Sequence, residues 1–208
     1  MIKGNQKKSG QKRVLIAAGS LLGVGALAVA AAFTDFANLN LGNGTGGGIG
    51  GGDNTFNIMV VGTDTQGVPV PGTWQEADTA EGVDIALVGA DTITPGDTIS
   101  VDIPVLNDSP KLAADLSLTL GDVPGKASDT DYASQLRYTV TVDGTDVTTN
   151  ATQSAVNALG LTQIAATADS NVKIAVTLLD QGSAAANNAL QGKSAFVQAQ
   201  FKAESSRS

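Results

Sequence analysis

The chain contains no cysteine and no histidine. Disulfides, thiolate nucleophiles, imidazole bases and the usual nitrogen and sulfur ligands of zinc and copper are therefore excluded together. Aromatic residues make up only 4% of the 208 positions, so a core has to be aliphatic, and an apolar fraction of 42% is enough to build one. Cations are the third scarcity. Lys3, Lys7, Lys8, Lys12 and Arg13 stand at the start, and after them seven cations face twenty acids, a net charge of −13. Such a surface favours solubility and repels nucleic acid and anionic lipid, so no nucleic-acid partner is expected.

What is present begins with an export signature. The five basic residues precede VLIAAGSLLGVGALAVAAA, nineteen uncharged residues from Val14 to Ala32 that close on the small residues Ala30, Ala31 and Ala32. This predicts a signal peptide over 1–32, cut between Ala32 and Phe33 by a signal peptidase. Nineteen residues are also long enough to cross a bilayer at about 1.5 Å each, so a retained N-terminal anchor is the alternative. Membrane contact is expected only through that segment, and in either case the rest of the chain lies outside the cell.

From Asp53 onward the apolar residues recur with period two. TFNIMVV (55–61) and VDIALVG (83–89) are β-branched-rich runs bounded by turn residues. In ISVDIPVL, Ile99, Val101, Ile103 and Val105 alternate with polar positions and with Pro104, whose missing N–H suggests an edge or a bulge. LSLTL, RYTVTVD, VKIAVTLL and SAFVQAQFKA repeat the alternation, with TPGD, NDSP, DVPG and VDGTD as turns between strands. Only QSAVNALGL (153–161) suggests a helix, with Gly160 as its stop. Strands at this spacing with little helix between them predict an all-β domain over 53–204, an antiparallel two-sheet sandwich of jelly-roll or immunoglobulin-like kind, followed by a 205–208 tail.

Residues 33–52 stand apart. Phe36 to Leu41, FANLNL, puts Ala37, Leu39 and Leu41 on one face of a strand and Phe36, Asn38 and Asn40 on the other, and eight of the next eleven residues are glycine. A tether of that composition spans roughly 17–20 Å on average and about 36–40 Å at its limit. Three outcomes are open: the strand is donated to a neighbour, it pairs with its own sheet, or the whole stretch is a spacer. Burying Phe and two Leu yields on the order of 1.5–3 kcal/mol each, against about 1–2 kcal/mol for each backbone fixed. Docking therefore needs a groove whose free N–H and C=O groups supply a ladder.

Three stretches carry a resemblance. KRVLIAAGSLLGVGALAVAAAFTD resembles the signal peptides processed by the dedicated peptidase SipW, which end in an aromatic-Thr/Ser/Asn-Asp sequence near the cleavage point. ITPGDTISVDIPVLNDSPKLAADLSLTL is similar to the TasA and camelysin-like family, in which a turn such as Pro95-Gly96-Asp97 opens a strand and a polar Asn-containing turn leads to the next. NNALQGKSAFVQAQFKAE is similar to that family's last turn and strand, through Asn188, Gln191 and Gly192. The resemblance implies a secreted jelly-roll subunit of surface or biofilm-matrix fibres of a Gram-positive bacterium, a self-polymer in which the N-terminal strand of one copy completes the sheet of the next. This chain departs from the family in placing Gly42–Gly52 between that strand and the core.

Other signals give way to plainer readings. GNGTGG (42–47) matches G-x-G-x-x-G, but more glycine follows it instead of a helix. Camelysin-like relatives imply a metallopeptidase, yet without His or Cys only oxygen ligands are left, which suit calcium or magnesium better than zinc. Asp64, Asp129, Asp131, Asp143 and Asp146 are candidate calcium ligands that equally fit ordinary turn roles. Trp74 reads either as an exposed binding ring or as a plug for one end of the core. The expectation is a non-enzymatic structural subunit without cofactor, with a monomeric adhesin-like surface module as the alternative and a peptidase a distant third. N-terminal sequencing of protein recovered from culture supernatant is expected to begin at Phe33; a start at Met1 would make residues 14–32 an anchor.

Overall fold

The computed structural model describes residues 34–42, 56–157 and 159–206. The signal segment, its Ala32–Phe33 junction and the glycine tract after Gly42 lie outside the described residues. In chain order the strands are β1 (Thr34–Gly42), β2 (Ile58–Thr63), β3 (Pro69–Gln75), β4 (Val83–Ala86), β5 (Thr98–Asn107), β6 (Ala113–Asp122), β7 (Leu136–Val142), β8 (Thr145–Ala151), β9 (Gly160–Ile164), β10 (Asp169–Leu178) and β11 (Val197–Ser206). Helix among the described residues is confined to turns of at most five residues.

The period-two segments become strands because one side of each can be covered. Val101, Ile103 and Val105 of β5, Leu116, Leu118 and Leu120 of β6, Tyr138 and Val140 of β7, Val172, Ile174 and Leu178 of β10, and Phe201 of β11 all enter one continuous aliphatic core. Two sheets enclose it, ordered β4-β1-β11-β6-β9 and β3-β2-β5-β10-β7-β8. The all-β sandwich expected from the periodicity is therefore the fold. Its pairings are antiparallel except β1 with β4, which run parallel.

The order of strands resolves the choice between sandwich types. From β4 to β11 the chain visits the sheets as first, second, first, second, second, first, second, first, which is the path of a jelly roll. In that path β4 and β11 would be neighbours. Here β1 lies between them, while β2 and β3 extend the other sheet beyond β5.

Two local expectations are corrected, and two strands are added to those expected. QSAVNALGL does not form a helix to Gly160: only Gln153–Val156 is helical, capped by the Thr152 hydroxyl, and Gly160 opens β9 along β6. Pro104 sits in an interior strand, not at an edge, and is tolerated because β2 stops pairing with β5 at Val60–Val105, one position before it. β3 and β8 escape the periodicity because both are edge strands with mostly exposed or half-buried side chains, and β3 carries Pro69 and Pro71 besides.

One buried polar residue ties the two sheets at their common end. Asn107 is fully buried; its amide donates to the carbonyls of Leu112 (2.8 Å), Ile164 and Ala165 (3.1 Å each), and its Oδ1 accepts from Ser109 N (3.1 Å). Asn107-Asp108-Ser109 has the Asn-x-Ser form of a glycosylation acceptor, and burial of its amide closes it to glycan. Asn107→Leu should strand several buried groups at a cost of about 3 kcal/mol, lowering the thermal midpoint by roughly 6–12 °C in a calorimetric scan.

Candidate functional site: strand β1 and its seat

β1 is bonded along both edges. On one side it runs antiparallel to β11 over eight positions, from Thr34 opposite Glu204 to Leu41 opposite Val197. On the other it runs parallel to β4, Leu39 to Gly42 against Val83 to Ala86. The ladder that docking requires is thus supplied from two directions, and the described fold places this strand in the sheet of its own chain. Of the candidate donor residues, Ala37 is buried in the core, as its face predicts, and Phe36 is 40% exposed on the outer face with the Lys202 ammonium 5.9 Å from its ring. Leu39 and Leu41 stand opposite Ala199 and Val197 in register.

Where β4 has not yet begun, the β3–β4 connection takes over the free edge. Asn38 N donates to Ala77 O (2.6 Å), and its side-chain amide donates to Thr79 O (2.8 Å) while its Oδ1 accepts from Gln200 Nε2 (2.6 Å). Asn38 is thereby buried on the face turned away from the core, under a clasp formed by residues 76–82. The clasp lies so close that a Cβ on Gly82 would meet the Asn38 carbonyl oxygen at 2.3 Å, and Gly82 has φ +67°. Only glycine fits both conditions. The polar bonds also fix register: a slip of two positions would exchange Asn38 for Asn40 and preserve the apolar alternation, so the hydrophobic pattern alone does not define it.

The start of β1 is held electrostatically. Asp35, of the same strand parity as Ala37, faces the opposite sheet and accepts Ile58 N at 2.8 Å through one carboxylate oxygen and Phe36 N at 2.9 Å through the other. Burial pushes its carboxyl above the ordinary range; the two N–H donors work against this, and the Asp78 charge adds to the rise. Burial likewise raises Glu76, whose Oε1 accepts from Asn57 at 2.7 Å and which feels Asp35, Asp78 and Asp108 as like charges. Sequence reading missed the clasp and this carboxylate group, because neither has a local pattern; the one available hint is an isolated acid opening an otherwise uncharged strand.

The turns at 95–97 and 188–192 border a common cleft. Gly96, at φ +99°, donates its N–H to Leu178 O, and Asp97 accepts from the N–H and hydroxyl of Thr94, which lowers its pKa. Gln191 bonds back to Asn188, and Gly192 turns at φ +74°. Pro95, Asn188, Gln191 and Gly192 line one cleft of about 590 Å³ with Tyr132 and Lys193. The acidic loops do not converge. Asp64 closes its own turn on Gln66 N and Val68 N, Asp143 holds Ser170 and Asn171, Asp146 holds Thr141, and Asp131 pairs with Lys193. Among the described residues no group of three or more acids is placed to hold a metal. Trp74 is half-buried on the edge strand β3, opposite Val61.

No protein-family model matches the chain, and no curated protein does. Among solved structures, the pilus backbone protein RrgB of Streptococcus pneumoniae is 13% identical over 84% of this chain, with a TM-score of 0.16. A full-length structure of the same pilus protein is 17% identical over 75%, also at 0.16. The chain spans 28% and 26% of those proteins' lengths, and scores this low do not establish a common fold.

Asn38→Ala should leave the Thr79 carbonyl and the Gln200 amide without partners, a loss of roughly 2–3 kcal/mol in denaturant unfolding. Gly82→Ala should cost at least as much by displacing β1 from the clasp. Asn188→Ala, in an exposed turn, should stay within about 0.5 kcal/mol of the parent.

Proposed function

We propose that this chain is an exported, non-enzymatic structural subunit that assembles at the cell surface or in the extracellular matrix by exchanging β1 between copies. The observation that supports it best is the position of β1: a strand additional to the jelly roll, gripped on both edges and followed by the glycine-rich sequence. Among the described residues, the hydrogen-bonding partners of β1 outside the strand itself lie between residues 58 and 204, so a slot vacated by one strand offers the same bonds to the strand of another copy. The tether's reach of up to about 36–40 Å lets a strand stay joined to one subunit while seated in the next. Within a single chain the millimolar-scale effective concentration favours the chain's own slot, as observed, and transfer between chains in one direction generates an open fibre.

Export through a SipW-type peptidase in a Gram-positive host belongs to the same proposal, supported by the sequence of residues 1–35. The runner-up, a monomeric adhesin-like module, is supported by the cleft between the two turns, which has the size of a small-ligand site.

A disulfide separates the two. Phe36 and Lys202 are directly opposed in the β1–β11 pair, a placement that a crosslink can bridge, and the parent has no other thiol. In the Phe36→Cys, Lys202→Cys variant, oxidation of monomer should close a bridge within one chain and block filament growth until reductant is added. Oxidation of filaments grown under reducing conditions should give ladders of covalent multimers on a non-reducing gel. Filaments that yield only intramolecular bridges would refute exchange.

A further inference from the structure

We propose that β1 is held by a proton-dependent latch, in which the seat that Asp35 takes beside Glu76, Asp78 and Asp108 grips the strand more tightly in acidic surroundings than at neutral pH. The latch is a property of the folded chain; only its consequence for assembly rests on the exchange reading.

Asp35 is the single charged residue of β1, and docking the strand carries it out of water to the boundary between the sheets, where Ile58 N meets it. Among the described residues, the charges that act on the pair are all negative. Asp78, in the clasp, acts on Asp35; Asp35, Asp78 and Asp108, the last just after β5, act on Glu76 at the end of β3. β2 contributes an N–H and no charge to this seat. On β11 the residue opposite Asp35 is Ala203; Lys202 belongs to the other face, where its ammonium meets Glu204 at 2.6 Å and lies over Phe36. Seating the strand at neutral pH therefore brings a carboxylate into a partly buried group of like charges, and leaving the seat relieves both burial and repulsion.

The direction follows from linkage. A carboxyl whose pKa is raised in the seated state binds more protons there than when released, so it favours seating most below the ordinary carboxylate range, and that contribution is lost as pH rises through the raised pKa. Acid tightens the grip on whichever strand fills the slot; neutral solution loosens it and permits exchange.

Amide hydrogen exchange of the intact chain at pH 4 and pH 7.5, corrected for intrinsic rates and read on the peptide containing Ala37 and Asn38, tests this. Protection in the parent should be lower at pH 7.5 than at pH 4. Asp35→Asn keeps an acceptor for Ile58 N without the charge, so its protection should depend on pH less than the parent's and exceed the parent's at pH 7.5. Glu76→Gln should reduce the pH dependence in part, and it serves as the test if Asp35→Asn does not fold. Parent protection that is unchanged or higher at pH 7.5, or a variant as pH-sensitive as the parent, would overturn the latch. Filaments are not read in this experiment, so their absence would count against exchange alone.

Discussion

The two-sided hydrogen-bond ladder of β1 is the constraint on which the rest of the structure turns. A jelly roll places β4 beside β11; in this chain they are held one strand apart, so one sheet owes its width to β1. Fixing nine backbones costs about 1–2 kcal/mol each, and Ala37 offers little apolar area in return. The strand stays because its polar groups are met from both neighbours and, where β4 is missing, from the carbonyls of Ala77 and Thr79.

That balance explains what the sequence discloses. The long interior strands were legible because Val, Ile and Leu alternate cleanly in β5, β6, β7 and β10, each buried on one face. β3 and β8 were not, since an edge strand exposes both faces and its apolar signal fades. FANLNL was recognisable as strand-forming, but its address was not: pairing with β11 joins opposite ends of the chain, and no local pattern encodes a partner so distant. The candidate site was half visible for the same reason. Ala37 and Phe36 could be assigned faces, whereas the clasp depends on backbone carbonyls, which look alike in every sequence. The turns at 95–97 and 188–192 carry separate resemblances in the sequence; only folding places Pro95, Asn188, Gln191 and Gly192 along one cleft.

The carboxylates divide into two kinds. Asp64 and Asp146 are exposed and close their own turns, while the exposed Asp143 ties its turn to Ser170 and Asn171 of β10. Asp35 and Glu76 are partly buried, and the like charges around them make the seat of β1 less stable than its hydrogen bonds alone would. A strand held by good bonds against mild repulsion is firm without being permanent.

The pairing of Thr34 with Glu204 has a consequence for biogenesis. A chain made from its N-terminus presents β1 first, while β11, which forms the longer wall of its slot, is made last. For nearly the whole of synthesis the strand has nowhere of its own to go. Under the exchange proposal, that interval is when a finished neighbour with a vacant slot would meet no rival from the same polypeptide.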